Sequence, residues 1–212
     1  LNIYHNKMVN SFSIKGKRDY MEDTYIIHSD SIYSIYGVFD GHGGKNVSDA
    51  LKKILPVYFS KHAFNSTIKY NNVNEIRNKI KKSFLILDHI IKNNVNSYSV
   101  GSTASIIIKY NNLLITVNLG DSRVVILQNN VENSNGMIRF ATKDHKPEQE
   151  RERIKKSKGV VKFDGHVHRV NGNLSLSRAF GDFYLKYYSK NKYMGPVSVE
   201  PDINFIEMDK NT

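Results

Sequence analysis

At 212 residues and 40% apolar side chains the chain is long enough for one well-buried core, so a single domain over residues 1–212 is expected. Its net charge of +11 comes from lysines scattered along the sequence, and with no tryptophan and no aromatic–basic repeat to stack bases, nucleic acid is not an expected partner. The absence of cysteine excludes disulfides and thiolate zinc sites, and no apolar run reaches the roughly 18 to 20 residues of a membrane helix, so no membrane partner is expected.

Residues 25–28 and 32–39 are rich in β-branched and aromatic side chains and flank Ser29-Asp30-Ser31, which predicts a hairpin whose second strand ends at Asp40. A helix is predicted from Lys45 to about His62, with Val47, Leu51, Ile54 and Tyr58 on one face and Pro56 as a kink or break. A second, from Val73 to Asn93, carries Ile76, Ile80, Phe84, Leu87 and Ile91 at threes and fours, with lysines and asparagines opposite. Both can cover one sheet. Residues 102–109, 113–118 and 123–128 are apolar runs joined by short turns, the pattern of an antiparallel meander at the centre of the core. Residues 147–157 place proline first, acidic residues early and lysines late, which predicts a short surface helix stopped by Gly159. Residues 160–196 show no clear period and read as an irregular flap beside a site.

Chemistry concentrates at the turns. Val38-Phe39-Asp40-Gly41-His42-Gly43-Gly44 sets a carboxylate and an imidazole on a glycine turn where an apolar strand ends. Asp40 and Gly41 offer hard oxygen ligands suited to magnesium or manganese. An isolated Asp-Gly ordinarily turns the chain and caps the next helix, but the adjacent His42 and the acidic pairs elsewhere favour a ligand. Arg18 precedes Glu22 and Asp23 closely enough for a guanidinium fork and a carboxylate to flank one cavity, or to pair with each other on a solvated segment. Asp121 sits on a second glycine turn, at the end of a strand expected to be buried. His42 titrates near neutrality and can hand a proton to a leaving oxygen. His166 and His168 alternate without a third ligand nearby, so zinc is not expected, and Asp144-His145-Lys146-Pro147 reads as a helix entrance first and a functional loop second.

Seven segments occur in an order that resembles the metal-dependent type 2C protein serine/threonine phosphatases. They are Arg18-x-x-Met21-Glu22-Asp23, Val38 to Gly44, Gly101-Ser102-Thr103-Ala104, Asn118-Leu119-Gly120-Asp121-Ser122-Arg123, Asp144-His145-Lys146-Pro147, Arg169-Val170-Asn171-Gly172 through Ser177-Arg178-Ala179-Phe180-Gly181-Asp182, and Glu200-Pro201-Asp202. The resemblance implies an α+β fold, a four-layer sandwich of two antiparallel β-sheets flanked by α-helices. It implies a hydrolase acting on phosphoserine and phosphothreonine of phosphorylated protein substrates, through water activated by two Mg or Mn ions, with a more labile third ion in addition. By motif position Asp40 would bridge two metals, the Gly41 carbonyl would bind one, Glu22 would hold a coordinated water and Asp121 would help bind the third ion. Arg18 would grip the phosphate, and His42 would protonate the leaving oxygen. Arg169 to Tyr193, within residues 160–196, resembles the family's flap.

Two further family aspartates would follow Glu200-Pro201-Asp202, and the chain opens at Leu1 and stops at Thr212. A fragment without its C-terminal strands is therefore expected, with an incomplete metal site, an exposed apolar sheet surface and weak or no activity by itself. An intracellular monomer, cytoplasmic or nuclear, is expected. The alternative reading is a non-catalytic phosphatase-like binding or regulatory module.

Overall fold

The apolar runs of the central strands become, in the computed structural model, part of a five-stranded antiparallel sheet. The structure describes residues 9–70, 72–128, 137–189 and 192–208. In chain order the elements are β1 (Thr24–Ser29), β2 (Tyr33–Phe39), β3 (Gly41–His42), α1 (Asn46–His62), α2 (Val73–Asn94), β4 (Gly101–Ser102), β5 (Ala104–Tyr110), β6 (Leu113–Leu119), β7 (Val125–Gln128) and β8 (Met137–Ala141). There follow α3 (Arg151–Lys156), β9 (Val161–Phe163), β10 (His168–Val170), β11 (Phe180–Gly181), a 3-10 turn (Phe183–Leu185), β12 (Tyr188–Ser189), β13 (Lys192–Tyr193) and β14 (Asp202–Glu207). The large sheet has the order β1-β2-β5-β6-β14, and the remaining strands form one three-stranded sheet, β11-β4-β3, and three two-stranded ribbons. Antiparallel sheets with helices give the α+β class expected from the sequence.

The β1–β2 hairpin closes where Asp30 accepts hydrogen bonds from the amides of Ile32 and Tyr33 at 2.7 and 3.0 Å. Register then aligns Ile26, Gly37, Ile106, Val117 and Ile203 in one row across all five strands. That row and its neighbours Ile35, Phe39, Ala104, Ile108, Ile115 and Leu119 are buried in one core with the apolar faces of α1 and α2. Phe59 and Phe84 supply the largest helix side chains of this core, each fully buried. On α2 the predicted stripe is the observed one, and Asn72 caps its start by accepting from the amides of Asn74 and Glu75.

Four expectations change. Pro56 lies inside an unbroken α1, and the carbonyl that loses its partner there belongs to Lys52, on the exposed side where water can satisfy it. The fully buried stripe of α1 is Val47, Leu51, Leu55 and Phe59, with Ile54 and Tyr58 at its half-buried margin. The meander stops after two strands: β7 leaves the sheet to pair with β8, and β14 takes the place beside β6 from far along the chain. In addition, the helix foreseen over 147–157 is helical only from Arg151 to Lys156. The sheet face opposite the helices leaves Tyr25, Ile27 and Val38 exposed at 39, 48 and 49%. Among the described residues no helix is long and apolar enough to cross a membrane.

A second, smaller core gathers Ile154, Val170, Leu174, Leu176, Ala179, Leu185 and Val197 beneath residues 160–196. It is joined to the first by a charged knot. The Glu150 carboxylate accepts from Arg153, from Arg178 at 2.9 Å and from the Ser177 hydroxyl at 2.7 Å, while Arg178 also reaches Asp202 on β14 at 2.9 Å. Burial alone would raise the Glu150 carboxyl, but its hydrogen bonds to the two arginines hold it down at about 2. Asp202 is likewise held at about 2, first by the imidazole of His145, whose Nε2 lies 3.3 Å from its carboxylate.

Carboxyls that titrate near 2 when folded, against ordinary values of 4.5 and 3.8, stabilise the fold above about pH 4.5 and stop doing so as the pH falls toward 2. Glu150→Gln should lower the Tm at neutral pH by roughly 4–8 °C, from a loss of about 2 kcal/mol, and should flatten the acid limb of the Tm–pH curve. Calorimetric melts between pH 7 and 2 measure this; an unchanged Tm with an unchanged acid limb contradicts it.

Candidate active site

Phe39, buried at the end of β2, fixes where the next residue emerges, and Asp40 emerges into a cavity of about 600 Å³. Its backbone is clamped from both sides: the Asp40 amide donates to Thr103 Oγ1 at 3.1 Å, and the Thr103 amide donates to the Asp40 carbonyl at 2.9 Å. Thr103 Oγ1 also meets Ser122 Oγ at 2.8 Å, which ties the strand end bearing Asp40 to the glycine turn bearing Asp121. Both aspartates, together with Arg18, Glu22, Asp23, Gly41 and His42, line the same cavity. All six residues singled out in the sequence are therefore in one place.

The electrostatics of that wall are unfavourable in the absence of a cation. Burial first, then the charges of Asp23 and Asp121 and a carboxyl–carboxyl hydrogen bond to Asp23, push Asp40 from 3.8 up to about 6. Three acidic groups sharing one partly buried wall is the arrangement in which a divalent ion is worth most. The donors are all oxygen, so the set fits a hard cation in kind. Among the described residues, however, no three of His, Asp and Glu converge tightly enough to make a closed metal cage.

Individual residues depart from the sequence expectation in informative ways. Glu22 Oε1 accepts from the Gly44 amide at 2.5 Å, and its carbonyl accepts from Ser48 Oγ at 2.6 Å, so Glu22 is anchored to the entrance of α1 while its neighbour Asp23 touches Asp40. Asp121 is paired with the Lys146 ammonium. Its turn is gripped by His145, whose Nδ1 accepts from the Gly120 amide at 3.0 Å while its own amide donates to the Gly120 carbonyl at 2.9 Å. The Asp144-His145-Lys146 segment is thus part of the site before it is a helix entrance. Arg18 stands exposed at the mouth, on a turn closed by its amide to the Lys15 carbonyl. Neither His166 nor His168 lines the cavity.

His42 is the half-buried member. Its Nε2 lies 2.7 Å from Oδ2 of Asp182, a residue 1% exposed. Burial opposes a charge on the imidazole, but the Asp182 hydrogen bond and the charges of Asp182, Asp40 and Asp121 prevail and raise its pKa above the ordinary value. Asp182 has no role by motif position alone; its one signal in the sequence is an aspartate directly after glycine, where a left-handed turn can aim a carboxylate.

Comparison with known proteins decides the relationship. Residues 8–212 match the family model described as Protein phosphatase 2C. The chain belongs to the protein phosphatase 2C family. A probable protein phosphatase 2C 2 of Paramecium tetraurelia is 34% identical over 92% of this chain and 66% of its own length. Protein phosphatase 1L of Bos taurus is 34% identical over 97% of this chain and 56% of its own length. The chain thus spans between about half and two thirds of such relatives. Among solved structures, a serine-threonine phosphatase 2C from Toxoplasma gondii superposes with a TM-score of 0.70 at 22% identity, covering 92% of this chain and 71% of that one. A C. elegans sex determining protein gives 0.73 at 24% identity over 93% of this chain and 48% of that one. These two likenesses concern the fold.

For this protein phosphatase 2C chain the crowding at Asp40 has a measurable sign. A folded pKa of about 6 against 3.8 means that stability falls as the pH rises through that interval, because the ionised carboxylate is held against its neighbours. Asp40→Asn should therefore raise the Tm in chelator at neutral pH, by about 1–2 kcal/mol or roughly 3–6 °C. Scanning calorimetry in chelator reads this; a lower Tm for the variant contradicts the crowding.

Proposed function

We propose that this chain carries the active site of a Mg²⁺- or Mn²⁺-dependent phosphatase acting on phosphoserine and phosphothreonine of proteins. The observation that carries the reading is the meeting of Asp40, Asp23 and Asp121 around one cavity that also presents Arg18 and His42. The serine/threonine preference follows from family membership.

In this reading Asp40 and the Gly41 carbonyl would hold two cations, Glu22 would hold a coordinated water, and Asp121 would help bind a third ion. Bound divalent ions would neutralise phosphate charge and lower the pKa of water in the site. The chain's own residues do the rest. Arg18, at the mouth, offers a planar fork to the phosphate oxygens and sets the ester's orientation. Water adds to phosphorus as the bond to the serine or threonine oxygen breaks, and His42, kept protonated by its acidic surroundings, is the donor to that oxygen. Residues 160–196 act as a flap over the cavity, to which Arg169, Leu174 and Leu176 contribute walls.

One observation favours the alternative of a non-catalytic module. Lys146 already places a positive charge on Asp121, as a protein that had replaced an ion with a side chain would do. Turnover separates the two. A phosphothreonine peptide should be hydrolysed with Mn²⁺ and not in chelator, and Asp40→Asn should reduce the rate on the order of 10²-fold or more. A rate indifferent to metal and to that substitution, or peptide capture without turnover, contradicts the enzyme.

A further inference from the structure

A protonated His42 can donate from either ring nitrogen unless one is committed, and the structure commits one: Nε2 lies 2.7 Å from Asp182 Oδ2. Building on the phosphatase reading above, we propose that Asp182 is a positioning residue that holds Nε2–H of His42, leaving Nδ1 as the nitrogen that delivers the proton to the departing alcohol oxygen.

The backbone around the pair is arranged for this contact. Strands β3, β4 and β11 bring His42, Gly101 and Gly181 into one row. The middle position has to be glycine: a Cβ at residue 101 would lie 2.1 Å from Asp182 Oδ2 and 2.5 Å from His42 Nε2. The carboxylate and imidazole therefore meet across bare backbone. Asp182 reaches over by adopting φ 52° and ψ 44°, a left-handed conformation directly after Gly181 at φ 76°. For a residue with a side chain that region is disfavoured.

The surroundings hold the turn in that shape. The Asp182 amide donates to the Val100 carbonyl at 3.1 Å, and the Gly181 amide donates to Asp88 Oδ1 at 2.9 Å. Asp88 is in turn paired at 2.9 Å with Lys186, both side chains fully buried, and Lys186 donates to the Ala179 carbonyl at 2.7 Å. An ion pair inside the core thus fixes the residues on either side of Asp182.

A purely architectural role does not account for the carboxylate. Glycine or asparagine accepts a left-handed conformation without burying a charge. Asp182 instead buries an acid whose Oδ1 has no hydrogen-bond partner and whose Oδ2 bonds the imidazole. With Nε2 taken, Nδ1 is the other ring nitrogen, and it makes no hydrogen bond among the described residues. In the reaction a water oxygen forms the new bond to phosphorus, the bond from phosphorus to the alcohol oxygen breaks, and that oxygen's electron pair takes the Nδ1 proton. The imidazolium thereby becomes a neutral imidazole that keeps Nε2–H on Asp182, in the tautomer and orientation that reprotonation needs.

Two measurements test this. In the metal-free wild type labelled with ¹⁵N-histidine, His42 Nε2 should appear as a protonated nitrogen whose hydrogen exchanges slowly with water, and Asp182→Asn, which keeps the shape and tolerates the left-handed turn, should abolish that slow exchange. An unprotonated Nε2 in the wild type, or an unaltered resonance in the variant, overturns the proposal; the wild-type spectrum decides even if the variant does not fold. With Mn²⁺, the ratio of kcat on a phosphothreonine peptide to kcat on p-nitrophenyl phosphate should fall on the order of 10²-fold in Asp182→Asn with KM little changed, because nitrophenolate leaves without a proton. Equal losses on both substrates overturn the catalytic half. Wild-type inertness toward both substrates defeats the phosphatase reading itself, while the spectrum still settles whether Asp182 sets the tautomer.

Discussion

Carboxylates repel one another, and this fold brings Asp40, Asp23 and Asp121 into a single wall in spite of it. The elevated pKa of Asp40 expresses that repulsion. What offsets it in the polypeptide is a set of hydrogen bonds at strand ends: Thr103 clamping Asp40 and meeting Ser122, and His145 gripping Gly120. Those contacts draw on the register of β2 against β5 and β5 against β6, which the buried row from Ile26 to Ile203 sets. A one-residue slip would turn the row outward and separate the acids.

The same constraint explains why charge recurs behind the cavity. Lys146 offsets Asp121, Asp182 faces His42, and Lys186 with Asp88 secures the turn that carries Asp182. Farther back, Glu150, Arg153, Arg178 and Asp202 lock the small core under residues 160–196 to the edge strand β14. Hydrophobic packing places the sheet and helices and fills the small core under residues 160–196; ionic contacts tie that core to the sheet.

Local patterns in the sequence were good guides where the interaction is local. The β1–β2 hairpin, the buried stripe of α2 and the acid at the end of β2 follow from alternation, periodicity and glycine turns. The motif order also supplied the family, since residues such as Arg18, Glu22, Asp40 and Asp121 carry little meaning singly and much together. Contacts across long separations were not legible. Nothing around residues 113–119 announces that Asp202–Glu207 will pair there in place of β7. Pro56 looked like a break because the sequence does not show that its orphaned carbonyl faces solvent. Asp182 and Lys146 gained their roles only when distant segments closed over the same cavity, and Asp23 rather than Glu22 proved to be the acid against Asp40 because the Gly44 amide occupies Glu22.

The central claim is that separated acidic side chains meet to hold divalent cations, and locating the ion tests it most directly. Crystals soaked in manganese and measured at an anomalous wavelength should show density against the Asp40 carboxylate, on the side facing Asp23 and Asp121. Manganese found elsewhere on the surface, with none at Asp40, would contradict the account.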